Sequence, residues 1–425
     1  MRTDEKKRGA SFFSLASIYL VSNLFNAVIP FILLPILTRA ISPAEYGKVA
    51  MFQTTIAGLA AFVGLSVHGA AVRKYYDDND SLPDFIGSCV QLLLFTMSIT
   101  TIIIFVFSNR LQEFIGVDVT WIYIAVIVSA SDFLIQLRLG QWQVRSKAIS
   151  FGLLQIFRSI TNLSISLLLV LACSLGAEGR MIGISITAIL FAGISIYSLS
   201  KSNLVNLFDV RVDHLIEAIK FGFPLVPHVL GAFFLTAVDR VVINKYLGES
   251  SVGLYMVAFQ LCMGLGIIFD SFNRAYSPWL YQNLIKKSMA TDELIVKNTY
   301  KYFLILCSAI PVGFFIAPYM LLIIAGEKYS SAADFLIWLI AGQIFNGMYL
   351  MVANYIFFSK KTGLLSCVTL SCGLFNLFLL NELIPLYGIK GAAVAYALSM
   401  LCQFLITWRV ADYRHPMPWF KVKIF

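Results

Sequence analysis

Residues 85–107 read FIGSCVQLLLFTMSITTIIIFVF, an unbroken run without a charge. As an α-helix rising 1.5 Å per residue, such a run covers about 34 Å, enough to cross a hydrocarbon core of about 30 Å. Stretches of the same kind recur from one end of the chain to the other. Of 425 residues, 59% are hydrophobic and 13% charged, about half the charge of an average soluble domain. A fold in water would leave too much apolar surface uncovered, so the bilayer is the solvent. The runs are long and continuous, not ten-residue alternations, which predicts an all-α integral membrane protein and argues against a barrel.

Twelve spans are predicted, near 12–37, 48–68, 84–107, 119–139, 149–173, 180–199, 221–246, 252–273, 299–325, 332–357, 362–384 and 391–410. The first follows a basic run (Arg2, Lys6, Lys7, Arg8) but is too long for a signal peptide and contains Pro30 and Pro35, so it counts as a span. The seven cysteines sit in apolar runs without a CxxC pair or a Cys/His cluster. They read as small packing residues, with no metal or disulfide. Most of the 32 lysines and arginines fall at the N-terminus, in the even-numbered loops and in the C-terminal tail. This is the positive-inside pattern and puts both termini in the cytoplasm. The net charge of +9 is accounted for by these loops beside anionic headgroups, and no nucleic-acid partner is needed to explain it.

The two halves echo each other. TRAISPAEYGKVAMFQ (38–53) aligns with NKYLGESSVGLYMVAFQ (244–260), bringing Gly47 onto Gly253 and Arg39 onto Lys245. SLGAEGRMIGIS (174–185) aligns with PLYGIKGAAVAY (385–396), bringing Gly176 and Gly179 onto Gly388 and Gly391. Two six-helix bundles in the same orientation are therefore expected, 1–200 and 221–425, because repeats are the usual construction of secondary transporters. Between them, 201–220 reads as a cytoplasmic interfacial linker, with Leu215, Ile216 and Ile219 at helical spacing beside Glu217 and Lys220. FNRAYSPWLYQNLIKKSMATDEL (272–294) reads as a second interfacial element.

Charges and amides inside spans carry the functional signal, since a charge at mid-membrane costs at least a few kcal/mol and normally faces other helices or a hydrated cavity. In span five, Gln155, Arg158 and Asn162 follow i, i+3, i+7 and share a face. In span four, Ser129, Asp132, Gln136, Gly140 and Gln143 form a comparable stripe, with Asp132 at a depth where it could meet Arg158. A lining role makes Arg158 available to an anionic substrate and Asp132 to coupling; a structural ion pair is the competing reading. Span seven carries Asp239 and Arg240 as a further coupling and binding pair, about a turn and a half from its outer end, where snorkelling competes. Asp270 and Arg274 at i, i+4 read as a local pair. Span one offers Asn23, Asn26 and Pro30; span ten offers Gln343, Asn346 and Asn354, amides that ordinarily join helices. No catalytic constellation, Walker-type GxxxxGK[ST] or cofactor motif is present, so transport would draw on an ion gradient, a potential or the substrate's own gradient.

FILLPILTRAISPAEYGKVAM (31–51), LIEAIKFGFPLVP (215–227), VDRVVINKYLGESSVGLYMVAFQ (238–260), NRAYSPWLY (273–281) and IPLYGIKGAAVAYAL (384–398) together cover nearly the whole chain in order. In these motifs the chain resembles the polysaccharide transporters of the multidrug/oligosaccharidyl-lipid/polysaccharide exporter superfamily, and within them Wzx-type O-antigen flippases. The resemblance implies a bacterial inner-membrane protein that moves an undecaprenyl-pyrophosphate-linked oligosaccharide between leaflets by alternating access. It also implies a cationic cavity for pyrophosphate and sugar, and work beside the glycan polymerase machinery among membrane lipids. A drug/cation antiporter is one alternative, weakened because span one lacks an acidic residue. A membrane polysaccharide polymerase is another, weakened because no large loop or soluble domain is inserted.

Overall fold

The computed structural model describes residues 21–22, 24–78, 80–286, 288–359 and 363–419. Asn23, the basic N-terminal run and the first part of the predicted span one lie outside these. All the described secondary structure is helical, as a bilayer demands of any chain that must satisfy its backbone N–H and C=O groups internally. In order, the helices are α1 (Leu24–Ala40), α2 (Pro43–Leu59), α3 (His68–Asp77), α4 (Leu82–Val106), α5 (Ser108–Ile115), α6 (Val119–Val144), α7 (Ala148–Leu167) and α8 (Gly176–Lys201). They continue with α9 (Val212–Gly222), α10 (Val226–Thr236), α11 (Val238–Leu247), α12 (Glu249–Leu284), α13 (Met289–Ala325), α14 (Ala333–Phe358), α15 (Gly363–Tyr387) and α16 (Ile389–Arg414).

Each of the twelve apolar runs has helix at its position. Among the described residues, 10 helices are long and apolar enough to cross a membrane, or 11 if the bent pair Pro43–Leu59 and Gly64–Asp77 is one span. The bend of 50° in that pair interrupts what the sequence predicts as a straight helix over 48–68. It falls at Gly64 (φ 76), Leu65 (φ 47) and Ser66 (φ 56). A Cβ at Gly64 would lie 2.5 Å from the Phe133 ring, so only glycine fits the turn against α6. Predicted span seven is broken too, by a 3-10 turn at Phe223–Leu225 that includes Pro224 and again at Ala237 (φ -139, ψ -29). The second interfacial element is not separate. Its first half is the last three turns of α12, which runs on through Pro278 to Leu284, and its end opens α13. Arg274 bonds Asp270 at 2.8 Å on that continuous helix, as their spacing predicts.

The chain forms two compact units: one through Ile41 and over Lys48–Val229, the other combining Ser42–Gly47 with the chain from Leu230 onward. In the first, α6 is central and packs on α3, α4 and α8. Its core includes Phe52, Ala125, Val128 and Met181 in one cluster and Ile135, Leu139, Phe151 and Phe191 in another. α9 packs on α3 and α4, tied by Lys74 to Glu217 at 2.9 Å and Arg211 to Asp84 at 2.8 Å. In the second unit, α14 is central and packs on α12, α13 and α16. α6 and α14 are spans four and ten, the same place in each repeat.

The repeat is visible in backbone detail. Gly176 (φ 53) and Gly388 (φ 61) turn the chain into α8 and α16 in the left-handed region. Three residues on, a Cβ at Gly179 would meet the Leu169 backbone at 3.0 Å, and one at Gly391 the Leu383 carbonyl at 2.2 Å. At the other aligned site, a capping box starts α2. The Ser42 N–H donates to Glu45 Oε2 at 2.9 Å and the Glu45 N–H to Ser42 Oγ at 3.2 Å. That turn lies on the start of α12 within the second unit: a Cβ at Gly47 would sit 1.9 Å from the Glu249 carbonyl oxygen, and one at Gly253 would sit 1.9 Å from the Pro43 carbonyl oxygen. Backbone cannot give way as a side chain can. Gly253→Ala is expected to cost about 1–3 kcal/mol, seen as a lower melting temperature in detergent. Gly193→Ala, where nothing lies within 4 Å, serves as the unaffected control.

Candidate functional site

One face of α7 carries a ladder of polar side chains, Gln155, Arg158, Asn162 and Ser166, with Ser159 on its flank. Arg158 forms an ion pair with Asp132 of α6, and the two side chains keep 29% and 38% of their surface exposed. The pair is therefore made but not sealed. One turn below, Arg180 of α8 donates to Asn162 and, at 2.5 Å, to Ser166 Oγ. Arg180 is only 8% exposed. On the flank, Ser159 donates to Asn26 Oδ1 and ties α7 to α1. One turn above, the Gln155 side-chain oxygen is buried without a hydrogen-bond partner. The α-helix then passes into a π turn over Leu168–Ala172, a local widening that is frequent at functional sites.

Five of the residues singled out in the sequence, Asn26, Asp132, Gln155, Arg158 and Asn162, thus converge on α7. The rest of the span-four stripe does not act as a unit. Ser129 donates to the Ile56 carbonyl at 3.1 Å and Gly140 packs on Val72, so those two serve helix contacts. Two arginines escaped the sequence reading because they lie near predicted span ends, where a cation is ordinary. Arg180 is one. The other is Arg138, which donates to Ser198 at 3.0 Å and Ser202 at 3.1 Å and lies 4.4 Å over the Trp142 ring. The available signal was an arginine followed or preceded by apolar residues only one turn inside a span.

Asp239 and Arg240 belong to the second unit and are closed off. Their side chains are 1% and 5% exposed and bond at 2.8 Å. Tyr255 donates to the other Asp239 oxygen at 2.5 Å, Arg240 also donates to the Thr236 carbonyl, and its guanidinium covers the Phe259 ring at 4.3 Å. Snorkelling does not occur: the break at Ala237 turns both residues inward, where Tyr255 and Phe259 enclose them. Two of the span-ten amides, Gln343 and Asn354, join helices. Gln343 donates to Tyr396 at 3.0 Å and Asn354 to Asn273 at 2.7 Å. Among the described residues no group of three or more His, Cys, Asp or Glu comes together as a metal site.

The family described as polysaccharide biosynthesis protein matches residues 15–284. The chain is 24% identical over 384 residues to the probable low-salt glycan biosynthesis flippase of Haloferax volcanii, covering 89% of this chain and 79% of that one. It is 24% identical over 391 residues to a capsular polysaccharide biosynthesis protein of Staphylococcus aureus, covering 89% and 94%. Among solved structures, a lipid II flippase in an inward closed conformation superposes with a TM-score of 0.74 at 16% identity, over 93% of this chain and 87% of that one. At that identity the likeness concerns the fold.

Proposed function

Because the chain belongs to the polysaccharide biosynthesis protein family, as its motifs implied, we propose that it is a flippase carrying a lipid-linked glycan across the membrane. The relatives named as glycan flippase and capsular polysaccharide protein support the class of cargo. The finer reading is an undecaprenyl-pyrophosphate-linked oligosaccharide moved across a bacterial inner membrane, both termini cytoplasmic. The two bundles, 1–200 and 221–425 joined by the linker 201–220, would alternate access under an ion gradient. It is a carrier and not an enzyme, working with membrane lipids and beside the glycan polymerase.

The half-open pair of Arg158 and Asp132 carries this reading. A guanidinium presents parallel N–H donors that match two phosphate oxygens. At rest one Asp132 oxygen takes one arm of that fork, an internal stand-in for substrate. An incoming pyrophosphate replaces it, and the displaced carboxylate becomes the group free to take up a coupling cation or proton. Asn162, oriented by Arg180, and Gln155, with a free oxygen, offer hydrogen bonds to sugar hydroxyls beside the phosphate. A drug/cation antiporter would favour acids over arginines along such a face, and α7 and α8 supply arginines.

Deleting the gene from its source bacterium is expected to remove the surface glycan while lipid-linked units accumulate on the cytoplasmic leaflet, and a plasmid copy to restore display. Unchanged surface glycan in the deletion strain would sink the proposal.

A further inference from the structure

A cavity of about 590 Å³ opens in the first unit between the end of α3 and α9, with Phe85 and Phe221 among its walls. Its charged lining is balanced: Arg73, Lys74 and Lys220 face Asp77, Asp213 and Glu217. Four of these charges are already matched, Lys74 to Glu217 at 2.9 Å and Arg73 to Asp77 at 3.1 Å. Asp213 and Lys220 have no hydrogen bond or ion pair with any described residue. Seven positions apart on α9, they share a helix face about 10 Å apart along the axis. The cavity thus presents one unmatched anion and one unmatched cation on the same wall.

Its depth in the bilayer follows from the helices around it. α9 begins the candidate span Val212–Thr236, and Phe85 sits in the first turns of the span Leu82–Val106. The cavity therefore opens where two spans begin, at headgroup level. Beside it, Ile216, Ile219 and Phe223 are exposed on the surface of α9 and its extension, an apolar shelf suited to acyl chains.

We propose that this cavity binds the headgroup of an aminophospholipid. Lys220 takes the phosphate, and Asp213 accepts hydrogen bonds from the primary ammonium. The chains lie along Ile216 and Phe223. A choline headgroup satisfies the charge but has no N–H to give Asp213, and a glycerol headgroup brings no cation at all. The site is separate from the α7 ladder.

The test is native mass spectrometry on the full-length protein, delipidated in detergent and titrated with phosphatidylethanolamine, phosphatidylcholine, phosphatidylglycerol and free phosphoethanolamine. Phosphatidylethanolamine is expected to be retained at least about tenfold more tightly than phosphatidylcholine, a difference of about 1.4 kcal/mol. Asp213→Asn should bring it down to the phosphatidylcholine level and leave phosphatidylglycerol unchanged, while Lys220→Gln weakens all three. Both side chains lack protein partners, so neither substitution removes a fold contact. Equal retention of the three lipids, or phosphatidylethanolamine binding indifferent to Asp213→Asn, would reduce these charges to a solvated helix face and overturn the proposal. Binding of free phosphoethanolamine without binding of the lipid would overturn it as well.

Discussion

With Arg158→Ala, surface glycan falls to background and lipid-linked units build up inside, at membrane abundance equal to wild type. The size of the effect follows from what is lost. Two charge-assisted hydrogen bonds to phosphate are worth about 1.5–3 kcal/mol each, so at least about 100-fold in affinity goes with them. The fold is expected to survive because the pair is part exposed, so its loss leaves no fully enclosed charge. Arg158→Lys keeps the charge and loses the fork, so it should retain a small fraction of display. Asp132→Asn should still bind the lipid-linked unit but lose the response of transport to the ion gradient. Full-length glycan in the Arg158→Ala strain would remove this arginine from the transport path.

The same two residue types predict the opposite outcome in the second unit. Asp239→Ala leaves the enclosed Arg240 guanidinium with a carbonyl and aromatic rings but no anion. Breaking a buried pair from one side costs about 3–5 kcal/mol, a large part of the stability of an ordinary domain. Little folded protein should then be recovered from the membrane, as a collapse of the monodisperse peak on size exclusion. Replacing both members with leucine should restore much of that peak, because an apolar pair of similar volume avoids desolvating two charges. Should Asp239→Ala accumulate normally and yet fail to move glycan, the pair would belong to the transport chemistry and not to the fold.

The contrast marks what the sequence could reveal. Hydropathy alone locates the long apolar helices, because the bilayer imposes length and continuity, and passes over the short polar α3 and α5. Spacing alone assembles Gln155, Arg158 and Asn162, since one helix sets their geometry. What spacing could not reveal is enclosure. Arg240 and Arg158 look alike in sequence, each an arginine among apolar residues. Their difference lies in Tyr255 and Phe259, which come from another helix. The break at Gly64 was hidden for a similar reason. Glycine is common inside spans, and the pressure against a side chain there comes from Phe133, far away in the chain. Arg138 and Arg180 were passed over because a cation near a span end ordinarily reaches for headgroups, whereas here both turn back onto serines and an amide.

The meeting of Gly47 with Glu249 and of Gly253 with Pro43 bears on where such a chain comes from. Under the alignment of the halves, Pro43 corresponds to Glu249 as Gly47 does to Gly253, so each aligned segment touches its own counterpart in the same way. A patch that is complementary to itself is the mark of an isologous two-fold dimer. A half-length ancestor bearing this one glycine turn would already have carried both sides of the contact and could have assembled as a homodimer. Fusion of two gene copies would then have kept this contact while leaving each copy free to diverge elsewhere.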